Sequence, residues 1–418
     1  MLRLLHLDAL EIVGSHSGAW RTRRAADNAV PTTLFIGFGT MDKQLVSDGT
    51  LRSLIDSHVP LRLDVLRDDG STVLEGVLRE PDGSWYPIID SVPCVLRGPL
   101  RPDFSGFAQQ HGLQHSASTA APREAAAEQA ITNRTFSDKW RRFRSYGLDQ
   151  QHEEFLFGWY TRKLGLPDRE ALAAFYAGKE RILEVGPGSG FNTRFMAQSC
   201  RGKVFACDVS DAAFTTHENT RHLANCHVVQ ADLMDMPFED ASFDFIIADG
   251  VLHHTPDTRA ALEALFRKLQ PGGQMFFYVY RKMGEARQFC DRYLREQWMG
   301  LEPEACYRAC EGLTELGREL SALSAQITLS KGVPELGIPA GTHDVQRLLY
   351  YNFVKCFWND AFDFETNNMV NFDWYHPHNA WQHTDAEVEG WLAALGVEEF
   401  SFNDANPNGI SCLLKKPA

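Results

Sequence analysis

Long apolar runs, an even set of cysteines and an excess of positive charge are all missing from this 418-residue sequence. The lack of a run of about eighteen apolar residues argues against a membrane-spanning helix. The first residues, MLRLLHLDALEIVGSH, carry Asp8 and Glu11 where a secretory signal would be apolar. We therefore expect a cytoplasmic protein without a membrane partner.

The cysteines and the net charge narrow the functional classes further. Nine scattered cysteines suit reduced thiols better than a disulfide framework. A formal net charge of −14 opposes contact with nucleic acid, because affinity for phosphate backbones depends on clustered Lys and Arg. The basic stretch DKWRRFRSYG at 138–147 is too small to reverse that charge. A small-molecule acceptor is the partner we expect, and homodimer formation is left open.

Composition divides the chain, which is too long for one ordinary domain. Residues 117–130, ASTAAPREAAAEQA, are poor in large apolar side chains and indicate a linker or a solvated helix. The sequence therefore predicts an N-terminal accessory domain at 1–116, a linker at 117–134 and an α/β domain at 135–418. A helical and lid insertion is expected at about 284–390.

Short β-branched runs alternate with helical patterns from about residue 150, which is typical of a parallel sheet covered by helices. Residues 284–345 read as helices without a strand signal, and the runs VEEFSFND and GISCLLKK near the C-terminus predict a hairpin. The predicted strands of the sheet are RILEVG (181–186), KVFACDV (203–209), HVVQAD (227–232), FDFIIADG (243–250) and QMFFYVY (274–280).

A glycine turn, Gly186, Gly188 and Gly190, follows the first of these strands and precedes a helix that begins at Phe191. It places bare backbone at the carboxyl end of the sheet, where open α/β folds bind ligands. The spacing G-x-G-x-G differs from the G-x-G-x-x-G that steers a pyrophosphate to a helix N-terminus, so it favours a nucleoside without phosphates. The alternative is a tight turn that needs only positive φ angles.

Carboxylates accompany the turn on neighbouring strands. Asp208 ends the second strand, 18 residues after Gly190, where it can accept hydrogen bonds from both hydroxyls of a ribose. Asp232 ends the third strand and can reach an adenine edge. Glu184 lies within the first strand, where a buried carboxylate requires hydrogen bonds, and a nearby backbone amide could supply them.

Residues 181–280 resemble the class I S-adenosylmethionine-dependent methyltransferases. LEVGPGSG is similar to their first motif, VFACDVS to the second, VQADLMDMPFEDASFDFIIADGVLHHTPD to the third and fourth, and LQPGGQMFFYVY to the fifth. The resemblance implies an α/β, Rossmann-like seven-stranded sheet whose last strand is antiparallel. It also implies S-adenosylmethionine as the cofactor and S-adenosylhomocysteine as its product.

The same resemblance assigns the cofactor site. The glycines and Pro187 would lie under the methionine part, Asp208 would hold the ribose, and Asp232 with Leu233 would frame the adenine. Asp249 and Gly250 would lie beside the sulfonium. The implied cofactor-binding residues are Glu184, Gly186, Pro187, Gly188, Gly190, Asp208, Val209, Asp232, Leu233, Asp249 and Gly250.

Methyl transfer requires alignment and, for a protonated acceptor, a base. His254 is the first candidate and His253 the second, both in GVLHHTPD after the fourth strand. Local packing or capping is the alternative for this pair. Tyr375 and His376, in the aromatic segment 371–392, are further catalytic candidates.

The aromatic segment has two interpretations, a lid packed on the core or an acceptor pocket. The pocket would be lined by Tyr350, Trp374, Tyr375, His376 and His383. Three histidines of this segment have no cysteine or carboxylate partners at ligand spacing, so we predict no metal site. A second aromatic stripe, at 135–147, is read either as packing or as a lid over the cofactor.

Residues 61–97 alternate β-prone stretches with DDG and PDG turns and predict a small hairpin unit. YPIIDSVPCVL within it resembles the last strand of the zinc-ribbon domain of the activator subunit shared by tRNA, ribosomal and protein methyltransferases. No cysteine precedes Cys94, so a four-thiolate zinc site cannot form. We expect a metal-free relic that docks or shapes the acceptor entrance.

The features together favour an enzyme that transfers a methyl group to an O or N atom of a small molecule, such as a sugar or a secondary-metabolism intermediate. Two alternatives stay open. One is a peptide, protein or tRNA acceptor, prompted by the ribbon-like segment. The other is an S-adenosylmethionine-binding protein without turnover, because a fold by itself does not give a function.

Overall fold

A computed structural model of the chain describes residues 43, 49–70, 72–114, 124–403 and 407–418. The interpretation of TTLFIGFG at 32–39 as a strand lies outside the described residues. The same is true of residues 117–123 of the predicted linker. None of the described helices is both long and apolar enough to span a membrane.

A mixed sheet of twelve strands runs through the described residues, and a separate pair forms a small hairpin. The strands are β1 (Arg62–Asp68), β2 (Val73–Arg79), β3 (Trp85–Ile89), β4 (Val92–Val95), β5 (Arg181–Val185), β6 (Lys203–Asp208), β7 (Cys226–Ala231), β8 (Phe243–Asp249), β9 (Leu269–Arg281), β10 (Gln326–Leu329), β11 (Gly341–Asp344), β12 (Gln382–His383), β13 (Glu399–Phe402) and β14 (Gly409–Lys415).

Seven of these strands have the spatial order β7-β6-β5-β8-β9-β14-β13. Strands β5 to β9 are mutually parallel, and β14 is antiparallel to β9. The Rossmann-like seven-stranded sheet with an antiparallel last strand is therefore confirmed, and so is the C-terminal hairpin β13–β14. The order reverses between β5 and β8, which is where open α/β sheets bind ligands.

Helices cover both faces of the parallel strands, which explains why those strands read as nearly continuous apolar runs. Every residue of β7 is buried, as are four of the five in β5. The helices are α1 (Ser105–Gln110), α2 (Glu124–Arg142), α3 (Gln150–Leu164), α4 (Arg169–Ala177), α5 (Phe191–Ser199), α6 (Ala212–Thr220), α7 (Thr258–Lys268), α8 (Glu285–Trp298), α9 (Pro303–Ala322), α10 (Val345–Asn352), α11 (Phe364–Tyr375) and α12 (Asp385–Ala394).

Local sequence signals set several helix ends. The Asp149 side chain accepts a hydrogen bond from the His152 amide at the start of α3, and Gly165 ends that helix with a left-handed φ of 69°. Thr384 and Glu387 form a capping box at the start of α12, as the TDAE sequence predicts. For residues 117–130 a linker and a solvated helix were both open, and from Glu124 onward the structure has a helix.

The prediction that residues 284–345 contain no strand is wrong. Strands β10 and β11 form an antiparallel pair, with Gln326 opposite Asp344 and Leu329 opposite Gly341. The pair is short and exposed, so it has no buried apolar face and leaves no alternating pattern in the sequence.

The N-terminal strands extend the main sheet. Strands β1 to β4 form an antiparallel meander, which confirms the predicted hairpin unit, and β4 then pairs in parallel with β7. Cys94 lies opposite Gln230 and Val95 opposite Ala231. Both β4 residues are buried, so the meander shares the core of the parallel sheet.

Candidate active site

A cavity of about 1410 Å³ opens at the carboxyl ends of β5, β6, β7 and β8. Its walls come from the parallel strands, α2, α3, the segment around Lys355 and the loop after β4. The residues of the predicted cofactor site that line it are Gly186, Pro187, Asp208, Val209, Asp232, Leu233, Asp249 and Gly250.

The glycine turn has the backbone geometry that requires glycine. Gly186, Gly188 and Gly190 have φ angles of 67°, 61° and 82°. A Cβ atom at Gly186 would collide with Val251, and one at Gly188 would collide with the Trp140 ring. Gly186 lines the cavity, whereas Gly188 and Gly190 lie behind it. The glycines thus make room for protein side chains that form the cavity wall, in addition to exposing backbone.

Asp208 has a free acceptor at the end of β6. Its Oδ1 accepts hydrogen bonds from the Ser210 amide at 2.8 Å and the Ser210 hydroxyl at 2.7 Å. Among the described residues no hydrogen-bond donor contacts Oδ2. Burial raises the pKa of Asp208 to about 6, a cost to the charged form that ribose hydroxyls would relieve by donating to it. Asp232, at the end of β7, caps a short turn through the Met234 amide at 3.0 Å.

Glu184 does not line the cavity, although its partner Asn192 does. Its carboxylate accepts hydrogen bonds from Asn192 Nδ2 at 3.0 Å and from the Thr193 hydroxyl. Burial raises its pKa to about 7. The partners are side chains of α5 rather than the backbone amide expected as the alternative, so Glu184 ties β5 to the helix that follows the glycine turn.

Asp249 and Gly250 lie at the end of β8, as predicted, and Asp249 has a partner that the sequence did not reveal. Lys163 of α3 is 2% exposed at its side chain and forms an ion pair with Asp249. Its Nζ also lies 3.9 Å from the centroid of the Tyr278 ring. No motif marks Lys163, because its proximity to Asp249 arises only when α3 packs across the sheet.

The two histidines after β8 have different environments. His254 lines the cavity, and its Nδ1 donates to the carbonyl oxygen of Asn379 at 2.7 Å. That bond leaves Nε2 as the acceptor nitrogen of the neutral ring. Burial lowers the pKa of His254 to about 4, so the ring is neutral at pH 7. His253 is fully buried with its ring 3.8 Å from that of Tyr280, and it does not line the cavity.

The structure does not bring Tyr375 and His376 to the cavity. The Tyr375 hydroxyl lies 3.0 Å from Asp291 Oδ1 and 3.1 Å from the Lys355 carbonyl oxygen, and either oxygen can accept its single proton. The His376 ring binds the Thr135 hydroxyl through Nδ1 at 2.7 Å and the Leu301 carbonyl through Nε2 at 3.0 Å. Both side chains are buried, and their polar atoms lie within hydrogen-bonding distance of protein groups.

The five residues of the predicted acceptor pocket do not all lie at the cavity. Tyr350 and Trp374 line the cavity, whereas His383, like Tyr375 and His376, does not. His383 Nε2 lies 3.0 Å from the Thr258 hydroxyl instead. Within the described ranges, no group of three His, Cys, Asp or Glu side chains is arranged to hold a metal ion.

Helix α2 and the loop after β4 close two further sides of the cavity. Lys139 of α2 is 10% exposed at its side chain and pairs with Asp373 at 2.6 Å, and both line the cavity. Residues 96–101 form the wall beside Asp232, and Arg97 donates to Asp235 at 2.7 Å. The sequence analysis expected residues 61–97 to dock or to shape the acceptor entrance, and Trp85, Tyr86 and the loop after β4 do line the cavity. Their role at an acceptor entrance stays a prediction.

Residues 183–277 match the protein family described as "Methyltransferase domain". We refer to this segment as the methyltransferase domain, after the family that it matches. It contains most of β5, all of β6 to β8, most of β9, the glycine turn and the three carboxylates at the strand ends. The match confirms the sequence-based resemblance for this part of the chain.

Curated relatives of the methyltransferase domain have similar names. The chain is 38% identical over 80 residues to a demethylmenaquinone methyltransferase from Staphylococcus haemolyticus (strain JCSC1435), covering 19% of this chain and 34% of the relative. It is 31% identical over 127 residues to a probable phthiotriol/phenolphthiotriol dimycocerosates methyltransferase 2 from Mycobacterium ulcerans (strain Agy99), covering 30% and 49%. The chain thus spans between a third and a half of these relatives' lengths.

Among solved structures, the N-methyltransferase NodS from Bradyrhizobium japonicum WM9, in complex with S-adenosyl-L-homocysteine, is similar at 13% identity. The similarity covers 69% of this chain and 100% of that one, with a TM-score of 0.36. Because the TM-score is this low, the fold assignment rests on the strand order described above.

Proposed function

We propose that this protein is an enzyme that transfers a methyl group from S-adenosylmethionine to a small-molecule acceptor. The observation that carries the proposal is the cavity at the ends of four parallel strands of the methyltransferase domain, where Gly186, Asp208, Asp232 and Asp249 meet. These hydrogen-bond acceptors suit an adenosyl group, because carboxylates accept hydrogen bonds from ribose hydroxyls and from an exocyclic amine.

The roles of the residues follow the strand ends. When bound, S-adenosylmethionine supplies an activated methyl group and leaves as S-adenosylhomocysteine. We assign Asp208 to the ribose, Asp232 with Leu233 to the adenine, and Gly186 with Asp249 to the methionine end. His254 is the proposed base, whose Nε2 accepts the proton that a protonated acceptor atom loses as it is methylated.

The names of two relatives support a small-molecule acceptor. One is the demethylmenaquinone methyltransferase described above, and the other is a ubiquinone/menaquinone biosynthesis C-methyltransferase from Vibrio vulnificus (strain YJ016). The second is 28% identical, and the match covers 25% of this chain and 42% of the relative. Methylation of an O or N atom stays a prediction. The ribbon-like resemblance of residues 61–97 also stays a prediction, and with it a macromolecular acceptor.

Calorimetric titration with S-adenosylhomocysteine tests the cofactor site. Asp208→Ala removes the acceptor of two hydroxyl hydrogen bonds, and bonds to a charged group contribute about 1.5–3 kcal/mol each, so we expect at least tenfold weaker binding. Asp211→Ala is the matched control, because Asp211 is exposed, follows Asp208 by three positions in the sequence and does not line the cavity. Equal affinity for the wild type and Asp208→Ala would refute the assignment.

The pH dependence of S-adenosylhomocysteine binding provides a second test of the Asp208 carboxyl group. Because burial raises the pKa of Asp208 to about 6, the acceptor form is lost as the pH falls through 6, and affinity should fall with it. Formation of S-adenosylhomocysteine from S-adenosylmethionine with a metabolite extract then separates a catalyst from a protein that only binds.

A further inference from the structure

Lys355 is a buried ammonium group on the wall of the cavity. It lies between α10 and α11, is 5% exposed and lines the same cavity as the cofactor residues. Its Nζ lies 4.1 Å from the centroid of the Trp374 ring. Within the part of the chain that the structure describes, no carboxylate or carbonyl oxygen accepts a hydrogen bond from this Nζ. A buried charge without a partner is costly, and this one can reach a ligand in the cavity.

The carboxylates near Lys355 already have cationic partners. Asp373 pairs with Lys139 at 2.6 Å, and Asp291 pairs with Arg287 at 2.7 Å. The four residues of these two pairs are the charged groups that shift the pKa of Lys355. Among these five groups, three cations face two anions, which leaves one positive charge next to the cavity. A ligand with one negative charge would balance it.

A buried network holds the Lys355 backbone in place. The Lys355 amide donates to Asp291 Oδ1 at 3.3 Å, and the Tyr375 hydroxyl lies within hydrogen-bonding distance of both Asp291 Oδ1 and the Lys355 carbonyl oxygen. Trp374 Nε1 donates to Asp291 Oδ2 at 2.9 Å. Arg287, Asp291 and Tyr375 are almost completely buried. Tyr375 therefore contacts the Lys355 backbone and does not line the cavity.

Aromatic residues line the same cavity as Lys355. They include Trp374, Tyr350, Tyr280 and Phe357. The Tyr280 and Trp374 ring centroids are 4.3 Å apart. Such a wall accepts a planar or apolar body, and the fixed cation orients one acidic group of that body.

We propose that Lys355 binds an anionic oxygen group of the methyl acceptor, so that the acceptor is an organic acid with an aromatic or apolar body. This inference rests on the proposed function, because it places the acceptor in the cavity that would hold the cofactor. A cationic or neutral acceptor would leave the ammonium charge unbalanced.

Four aromatic probes of similar size test the charge preference on protein saturated with S-adenosylhomocysteine. Benzoate and 4-nitrophenolate are anionic, benzamide is neutral and benzylamine is cationic. At pH 7.5 we expect at least one of the anions to bind more tightly than benzamide and benzylamine, and the comparison of the two anions distinguishes a carboxylate from a phenolate. Failure of both anions to bind, or equal binding of benzamide or benzylamine, would overturn the proposal.

Substitutions at Lys355 test whether this residue causes the preference for anions. Lys355→Met keeps the length and removes the charge, and we expect at least tenfold weaker binding of the anion. Lys355→Arg should restore most of it, and Lys331→Met, at an exposed lysine, should change nothing. Anion binding by Lys355→Met as tight as that of the wild type would overturn the proposal.

The pH profile gives an independent readout. Burial lowers the pKa of Lys355 to about 8. The nearby Asp373 carboxylate raises this pKa, and the Arg287 guanidinium lowers it further. The ammonium form is lost as the pH rises through 8, so anion binding to the wild type should weaken there. An unchanged affinity from pH 7 to 9 would contradict the role of Lys355.

Titration with S-adenosylhomocysteine separates this inference from the proposed function. Lys355→Met should bind S-adenosylhomocysteine as the wild type does, which also shows that the variant folds. If the wild type fails to bind S-adenosylhomocysteine, the proposed function is wrong. If both proteins bind it and the anion preference is absent, only the Lys355 inference is wrong.

Discussion

His254 is held in one orientation at the edge of the cavity. The Nδ1 bond to the Asn379 carbonyl selects the tautomer, and the Phe136 ring packs against the imidazole at 4.8 Å between centroids. With a pKa lowered to about 4, the ring is always available as an acceptor at neutral pH, although it is a weaker base than one that titrates near 7.

Replacement of His254 by Ala should lower kcat by about 100-fold, the lower end of what a general base contributes, with unchanged affinity for S-adenosylhomocysteine. The measurement is a rate of product formation once the acceptor is known. His253→Phe is the comparison, because it retains the packing on Tyr280, and its kcat should stay within about threefold of wild type. An equal kcat for wild type and His254→Ala would mean that the acceptor atom arrives unprotonated.

Helix α2 is the element that covers the glycine turn. Its Trp140 ring lies against Gly188, and its Thr135 and Lys139 side chains are fixed by His376 and Asp373. Phe136 and Trp140, which belong to the predicted aromatic stripe at 135–147, line the cavity, and so does Lys139. These contacts support the interpretation of α2 as a lid over the cofactor.

Trp140→Ala should weaken binding of S-adenosylhomocysteine about tenfold and speed its dissociation, because the ring no longer closes the cavity above the turn. Stopped-flow measurement of the dissociation rate would detect the change. Arg141→Ala, at the next and exposed position, is the matched control. An unchanged dissociation rate in Trp140→Ala would show that α2 is only scaffold.

The described residues share a continuous sheet, whose spatial order runs from β1 at one edge to β13 at the other. Strand β4 is buried on β7, and the loop after β4 forms one wall of the cavity. The predicted boundary between an accessory domain at 1–116 and the α/β domain therefore crosses a shared core. Whether the two parts unfold separately is an open prediction that calorimetry can decide.

Val95→Asp should lower the midpoint of a single unfolding transition of the whole protein and weaken S-adenosylhomocysteine binding. A carboxylate at this buried position of β4 destabilises the fold by about 3 kcal/mol. Val65→Asp, at a position of β1 that is 40% exposed, is the control and should have a small effect. Two transitions in differential scanning calorimetry, with only one shifted by Val95→Asp, would contradict a shared core.

The sequence alone determined the parallel strands, the glycine turn and the carboxylates that follow it, because each depends on residues close together in the chain. Apolar runs of strand length predicted β5 to β9, and Gly186, Gly188 and Gly190 require their φ angles locally. Asp208, Asp232 and Asp249 follow strand ends, and parallel strands bring such ends to one edge.

Tertiary structure alone decided which other side chains reach the cavity. Lys163, Lys355 and Asp373 lie on elements far from the turn in sequence, and only helix packing brings them to the strand ends. The same packing buried Tyr375 and His376, whose aromatic surroundings resembled a pocket in sequence. Helix faces depend on which neighbour covers them, and one sequence does not contain that information.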